Sequence, residues 1–229
     1  MTGPVPAPRN MLRRQSSGQQ AALYIRRLIF DGELRPGMRV PQNEVAQQLG
    51  ISRIPIREAL IALQSEGWVT IELHRGAFIN ALDQHAVRDH YELYGLTYGL
   101  AARRATERRG ASLVDDLRPV LKAINEMDQP HRITQLTIEF HRRVVDAAAS
   151  PRIKVVLRGM SGMIPGDFFE LVPGAIEGER KGLATITRAI GKGDGNKAAD
   201  DYLRLMRRQG DLVVKVMKER GLFDLPGEA

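Results

Sequence analysis

The sequence predicts a mainly α chain in two parts, an N-terminal winged helix-turn-helix followed by a C-terminal all-helical bundle of about six helices. Three observations predict it. Up to Asn80, three short helical periods are followed by two β-rich runs around a glycine turn, and beyond Leu82 no strand pattern recurs. Every later break is a proline or glycine between long amphipathic stretches. The charge also changes in kind: residues 1–80 hold ten Arg, six acids and no Lys, and all lysines come later.

Composition bounds the rest. The 229 residues are enough for one large domain or two small ones with a real core. With 43% apolar and 27% charged residues the chain is an ordinary globular one. The absence of cysteine excludes disulfides, Cys-ligated zinc, iron–sulfur clusters and thiol catalysis. The net charge of +7 favours polyanionic partners. No stretch approaches the roughly 20 apolar residues of a membrane span, so no membrane partner is expected. Residues 1–16, rich in Pro, Arg and Ser, lack the apolar core of a secretory signal and read as a disordered basic arm of a cytoplasmic protein.

The first domain is expected over residues 17–80. Ser17–Asp31 reads as a helix, with Ala22, Ile25, Leu28 and Ile29 at helical spacing and Gly32 as its stop. Leu34-Arg35-Pro36-Gly37 is a turn. Asn43–Leu49 is a second helix that buries Val45, Ala46 and Leu49, closed by Gly50 in a left-handed cap. Ser52 caps a third helix running to about Glu66, with Pro55 tolerated in its first turn and Ile56, Ala59, Leu60 and Leu63 as the buried stripe. Trp68–Leu73 and Ala77–Asn80 read as strands joined by the tip His74-Arg75-Gly76. A boundary falls near Asn80–Asp83, and the second domain, 83–222, carries helical segments over about 83–109, 113–128, 132–149, 152–164, 176–191 and 196–220.

Two short helices around a glycine turn, followed directly by a hairpin, have the physics of a double-stranded DNA reader. Arg53 and Arg57 lie four apart and project from one helix face. Guanidinium forks suit phosphates and guanine edges. The Ser52 hydroxyl and the first-turn N–H groups point toward phosphate oxygens, and the hairpin tip reaches a neighbouring groove. The competing reading of Arg57 is a salt bridge to Glu58 or Glu44 at the domain's own surface.

The runs Ile29-Phe30-Asp31-Gly32-Glu33-Leu34-Arg35-Pro36-Gly37, Glu44-Val45-Ala46 and Leu49-Gly50-Ile51-Ser52-Arg53-Ile54-Pro55-Ile56-Arg57-Glu58-Ala59-Leu60, with Leu63, Glu66-Gly67 and Gly76, resemble the GntR-type winged-helix repressors. The helical remainder is similar to the FadR-type C-terminal effector domain, FCD, a bundle that also dimerises. The resemblance implies a homodimer on a short palindromic operator. It implies DNA contacts by Ser52, Arg53, Ile54, Arg57, His74, Arg75 and Gly76, and by Asn43, which stands where many relatives carry an arginine.

Many such relatives hold a divalent metal with one Asp and three His. Aligned on Thr137-Ile138-Glu139-Phe140-His141 and on Ala189-Ile190-Gly191-Lys192-Gly193-Asp194, the four positions here are Thr137, His141, Leu183 and Leu205. Thr and Leu cannot replace carboxylate and imidazole, so no metal or other cofactor is expected. Tyr94 takes the place of an arginine that relatives use to hold a carboxylate effector. The expected pocket is therefore Tyr94, Tyr98, Thr137, His141, Leu183 and Leu205, suited to a small apolar or amphipathic effector such as a fatty acid or acyl derivative. The alternative is a pocket packed shut in a regulator without an effector. Enzymatic motifs are missing: Gly159-Met160-Ser161-Gly162 is not a nucleophile elbow, and Gly191–Gly195 ends a helix rather than cradling phosphate. The expectation is a ligand-responsive transcriptional repressor, not an enzyme.

Overall fold

In a computed structural model the chain is described over residues 16–160 and 168–223. The basic arm expected over 1–16 lies outside these residues apart from Ser16, as does the end of the helical segment expected to reach 164. Ser16 itself is an N-cap: its side chain accepts from the Gln19 backbone N–H while the Gln19 side chain reaches back, a capping box that opens α1, Ser17–Phe30.

The N-terminal domain continues with α2, Gln42–Leu49, and α3, Arg53–Ser65. Gly50 between them sits at φ 62°, the left-handed conformation that glycine adopts without a Cβ penalty. Ser52 is the N-cap residue of α3, yet its hydroxyl makes no capping bond. The antiparallel hairpin pairs β1, Val69–Glu72, with β2, Gly76–Ile79, in the register Val69↔Ile79 through Glu72↔Gly76. The connecting loop is thus Leu73-His74-Arg75, one residue earlier than the expected tip, with His74 at φ 62°. Segment 37–40 runs along the other edge of β2, where Val40 N–H donates to Ala77 O at 2.8 Å and Ile79 N–H to Met38 O at 2.9 Å. The apolar stripes of α1 and α3 meet the sheet in one core of Ile25, Ile29, Phe30, Ile56, Leu63 and Trp68, all essentially inaccessible. A bidentate Arg26–Glu66 pair, at 3.1 and 2.9 Å, ties α1 to the end of α3.

The second domain is helical throughout its described residues: α4, Gln84–Arg109; α5, Ala111–Glu126; α6, Pro130–Ala147; α7, Pro151–Met160; α8, Phe168–Leu171; α9, Ala175–Gly191; α10, Gly195–Glu219. The short α8 went unseen in the sequence, because four residues carry too little periodicity to register. Breaks fall where glycine and proline predict them, with Pro130 at the start of α6 and Gly193 in the left-handed turn before α10. Helix α4 is the centre of the bundle and buries small residues on its inner face, Gly95, Gly99, Ala101, Ala102 and Ala105, which lets α10 lie close against it.

The end of α10 reaches back to the N-terminal domain. The Arg220 guanidinium donates to Phe30 O at 2.6 Å and to Asp31 Oδ1 at 3.0 Å, and lies 4.4 Å from the Phe30 ring centroid. Leu82 N–H donates to Leu222 O at 3.3 Å beside it. Removing that guanidinium deletes a charge-assisted hydrogen bond and a cation–π contact, worth together about 1–3 kcal/mol. Arg220→Ala is therefore expected to lower the melting temperature of the N-terminal domain and leave that of the bundle in place. Differential scanning calorimetry reads the two transitions, and unchanged melting of both would show that Arg220 holds nothing together.

Candidate functional site

The basic face forms where α2, α3 and the strand-like segment before α2 converge. Arg39, Gln42, Asn43, Glu44, Arg53 and Arg57 line one polar concavity. Asn43 and Arg53 open their helices and Arg57 follows one turn later, so local helix geometry alone aims them at the same side. All of Asn43, Ser52, Arg53, Ile54, Arg57, His74 and Arg75 are exposed. Among the described residues Arg39, Arg53 and Arg57 make no ion pair, so the competing pairing of Arg57 with Glu58 or Glu44 does not form. Ile54, 68% exposed at the front of α3, is an apolar group with no partner of its own.

The hairpin differs from expectation in detail. Arg75 is ion-paired with Glu72 and stands 5.5 Å from the Phe78 ring centroid. Gly76 sits at φ +114°, a conformation that residues with a Cβ rarely adopt, and a Cβ there would also meet the flexible Arg39 guanidinium at 2.7 Å from its Nε. Gly76 thus makes room for Arg39 across β2. Arg39 escaped the sequence reading because it sits in no motif; only the pairing of its segment with β2 carries it onto the face.

The second site is a cavity of about 240 Å³ in the bundle, with walls from α4, α6 and α8–α10 and Met160 at the end of α7. Of the expected residues, Tyr94, Thr137 and His141 line it. Tyr98 lies one layer behind, its hydroxyl 3.3 Å from that of Tyr94 and its ring stacked on Tyr202 at 5.4 Å. Leu183 and Leu205 do not reach the wall; they are 0% and 4% exposed and belong to the packed core. Glu179 and Gln209 do line it. Each lies four residues from its leucine, Glu179 before Leu183 on α9 and Gln209 after Leu205 on α10. The two consecutive helices run antiparallel, so both displacements have the same sense, away from the α9–α10 turn. The polar residues that line the cavity thus lie about 6 Å, one helical turn, from the positions expected from the sequence.

His141 holds the level together. Its Nδ1 is 3.2 Å from the Tyr202 hydroxyl, and its Nε2 is 3.4 Å from Glu179 Oε1. That second contact is within ion-pair reach but lacks hydrogen-bond alignment, and Glu179 Oε1 is left without a hydrogen-bond partner. Gln209 Nε2 donates to Glu179 Oε2 at 2.7 Å. Burial pushes the phenols of Tyr94, Tyr98 and Tyr202 up, and the Glu179 charge adds to this at Tyr98 and Tyr202, so all three stay protonated donors. The family's metal does not fit these residues: Leu183 and Leu205 offer no donor atom. Among the described residues no three His, Asp or Glu side chains gather.

His90, at the rim, is held below its ordinary pKa by burial, partly offset by a hydrogen bond to the Met160 backbone. A histidine kept neutral in the fold binds fewer protons than in the unfolded chain. Its stabilising contribution is present above about pH 6.5 and fades as pH falls through that value toward the folded pKa. His90→Gln is therefore expected to flatten the loss of melting temperature between pH 7 and pH 5.5, and parallel melting curves for both proteins across that window would contradict it.

Residues 17–79 match the family described as "Bacterial regulatory proteins, gntR family", and residues 89–208 match the FCD domain. An uncharacterized HTH-type transcriptional regulator of Mycobacterium tuberculosis is 35% identical over 150 residues, 66% of this chain. The chain spans 62% of that relative's length. A fatty acid metabolism regulator protein of Erwinia tasmaniensis is 26% identical, covering 67% of this chain and 71% of its own. Among solved structures, the Escherichia coli protein McbR/YncC superposes with a TM-score of 0.61 at 16% identity, over 90% of this chain and 99% of that one, a likeness of fold alone. The families and relatives are regulators, not enzymes.

Proposed function

Because the chain belongs to the GntR family of bacterial regulators that carry an FCD domain, we propose that it represses transcription as a homodimer on a palindromic operator and is released by a small effector held in the bundle. The observation that carries the DNA reading is the trio Arg39, Arg53 and Arg57, three exposed guanidinium groups on one concave face that make no ion pair among the described residues and outnumber the one acid there, Glu44. Isolated cations gain little on a solvated surface, but they neutralise phosphates by releasing counterions. The helix α3 that bears two of them enters a major groove by its N-terminal end, and dimer geometry fixes the half-site spacing. The test is binding to duplex DNA enriched from genomic fragments, by the protein and by its Arg53→Ala and Arg57→Ala variants.

The effector reading rests on the bundle cavity, which favours ligand control over a pocket packed shut. Helix α10 contributes Met206 and Gln209 to its wall, and its C-cap residue Arg220 makes the contact with α1, so one element and its cap touch both the effector and the DNA-binding domain. An effector that shifts α10 would bias the spacing of the recognition helices, with coupling of typically 1–3 kcal/mol. The acyl-type effector is supported by the apolar walls and by the name of the Erwinia relative. Two features oppose a free fatty acid. The cavity is below the roughly 300–1,000 Å³ of drug-sized sites, and a carboxylate head would meet Glu179. The effector is thus compact, and the cavity works without a metal. No helix among the described residues is long and apolar enough to cross a membrane, and a DNA-binding regulator works in the cytoplasm.

A further inference from the structure

The floor of the bundle cavity is an under-coordinated carboxylate. Glu179 is 2% exposed, and of the roughly four lone-pair positions of an ionised carboxylate only the one facing Gln209 is filled by a well-placed donor. The Gln209 amide must turn its nitrogen to Glu179, so its oxygen is the atom left over, and Gln209 Oε1 has no partner. Thr137 Oγ1 is unpartnered as well. Three residues lining one cavity therefore each carry a buried oxygen without a hydrogen bond, a concentration that a folded interior rarely leaves unused.

His141 cannot make up the deficit. Tyr202 is fully buried, and among the described residues the one hydrogen-bond partner of its hydroxyl is His141 Nδ1. Whichever of the two donates, His141 Nε2 stands 3.4 Å from Glu179 Oε1 without hydrogen-bond alignment, and Oε1 keeps no hydrogen-bond partner.

Among the described residues no Lys or Arg side chain lines the cavity. Its remaining titratable groups are His90, His141, Tyr91 and Tyr94, and its wall also carries the aromatic rings of Phe168 and Phe169. An anionic ligand would bring a second negative charge beside the Glu179 carboxylate, whereas a cation would complete the carboxylate's coordination and face electron-rich rings. We infer that the cavity binds a small organic cation, a compact apolar or aromatic body bearing a protonated amine, with Glu179 as counter-ion and Gln209 Oε1 and Thr137 Oγ1 as further acceptors.

This rests on the reading of the cavity as the effector site, and the experiment separates the two. The full chain is titrated calorimetrically with phenethylamine, 2-phenylethanol, phenylacetate and Zn²⁺ or Ni²⁺ alone. The expected result is phenethylamine bound at least tenfold more tightly than the alcohol, no binding of phenylacetate, and no stoichiometric metal. In Glu179→Gln the preference of amine over alcohol should fall at least tenfold. The wild-type series needs no variant, so a folding defect in Glu179→Gln leaves the comparison intact. Phenylacetate bound as tightly as the amine would overturn the cation while keeping the effector site. Stoichiometric Zn²⁺ or Ni²⁺ would replace it with an inorganic ion. Failure of every probe would remove the effector site along with the inference.

Discussion

Alanine at Arg53 or Arg57 is expected to weaken binding to the enriched duplex roughly 5- to 150-fold, the equivalent of about 1–3 kcal/mol for a good guanidinium–base contact. The melting temperature should stay in place, because both side chains are exposed and neither makes an ion pair in the described structure. The two kinds of contact leave different signatures. A lost base contact relaxes the sequence preference at one position of each half-site. A lost phosphate contact weakens all sequences alike and lowers the salt slope of binding by about one. Arg39→Ala, at the edge of the face beside β2, is expected to behave in the second way. Arg142, paired with Glu139 and Asp146 on the bundle, supplies the control, and its alanine variant should bind as the parent does. Undiminished binding by both Arg53→Ala and Arg57→Ala would sink the assignment of α3 as the recognition helix.

The second large effect is on stability. Gly99→Leu is expected to destabilise the bundle by several kcal/mol and lower its melting temperature by about 2–4 °C for each of them. A Cβ at Gly99 would stand 2.9 Å from Ala199 O and 3.2 Å from Ala199 Cα, both backbone atoms of α10 that no rotamer change can move. Gly95 faces Leu203 Cα at 3.0 Å and Gly210 faces the Tyr91 Cβ at 2.8 Å, so the whole crossing of α4 and α10 depends on missing side chains. Overpacking costs typically about 1–3 kcal/mol or more, and it outweighs the roughly 1 kcal/mol that leaving glycine gains in helix propensity. Gly159→Ala is the contrasting case. Among the described residues nothing lies within 4 Å of its added Cβ on α7, so the propensity gain remains and the melting temperature should hold or rise. Equal melting of the Gly99 variant and the parent would contradict the close crossing. Because α10 also carries Gln209 and Arg220, the same variant should disturb the cavity and the contact with α1.

Much of this was legible in the chain itself, for reasons that can be named. The first domain's elements follow from local rules: Gly50 must end α2 because it takes a left-handed conformation, Pro55 fits only a first turn, and Ile56, Ala59, Leu60 and Leu63 can share a face only on a helix. That Arg53 and Arg57 lie together needs nothing beyond a period of 3.6 residues. The hairpin was found but shifted by one at its loop, because Gly76 pairs with Glu72 as the first residue of β2 instead of lying in the turn.

What the sequence determined, then, is what neighbours along the chain set: the order of the longer elements and the faces they bury. Only the tertiary structure decided which side chains line the bundle cavity. Glu179 and Leu183 lie on the same face of α9, as Leu205 and Gln209 do on α10, and residues four apart cannot be told from one another by periodicity. Which of each pair meets His141 depends on how far the helices slide along one another. That offset is fixed by packing between α4, α9 and α10, where glycines at the crossing set how closely the helices approach. It puts the leucines into the core and a buried, half-satisfied carboxylate at the cavity. Arg39 reached the basic face in the same way, through a strand pairing that no local pattern announces.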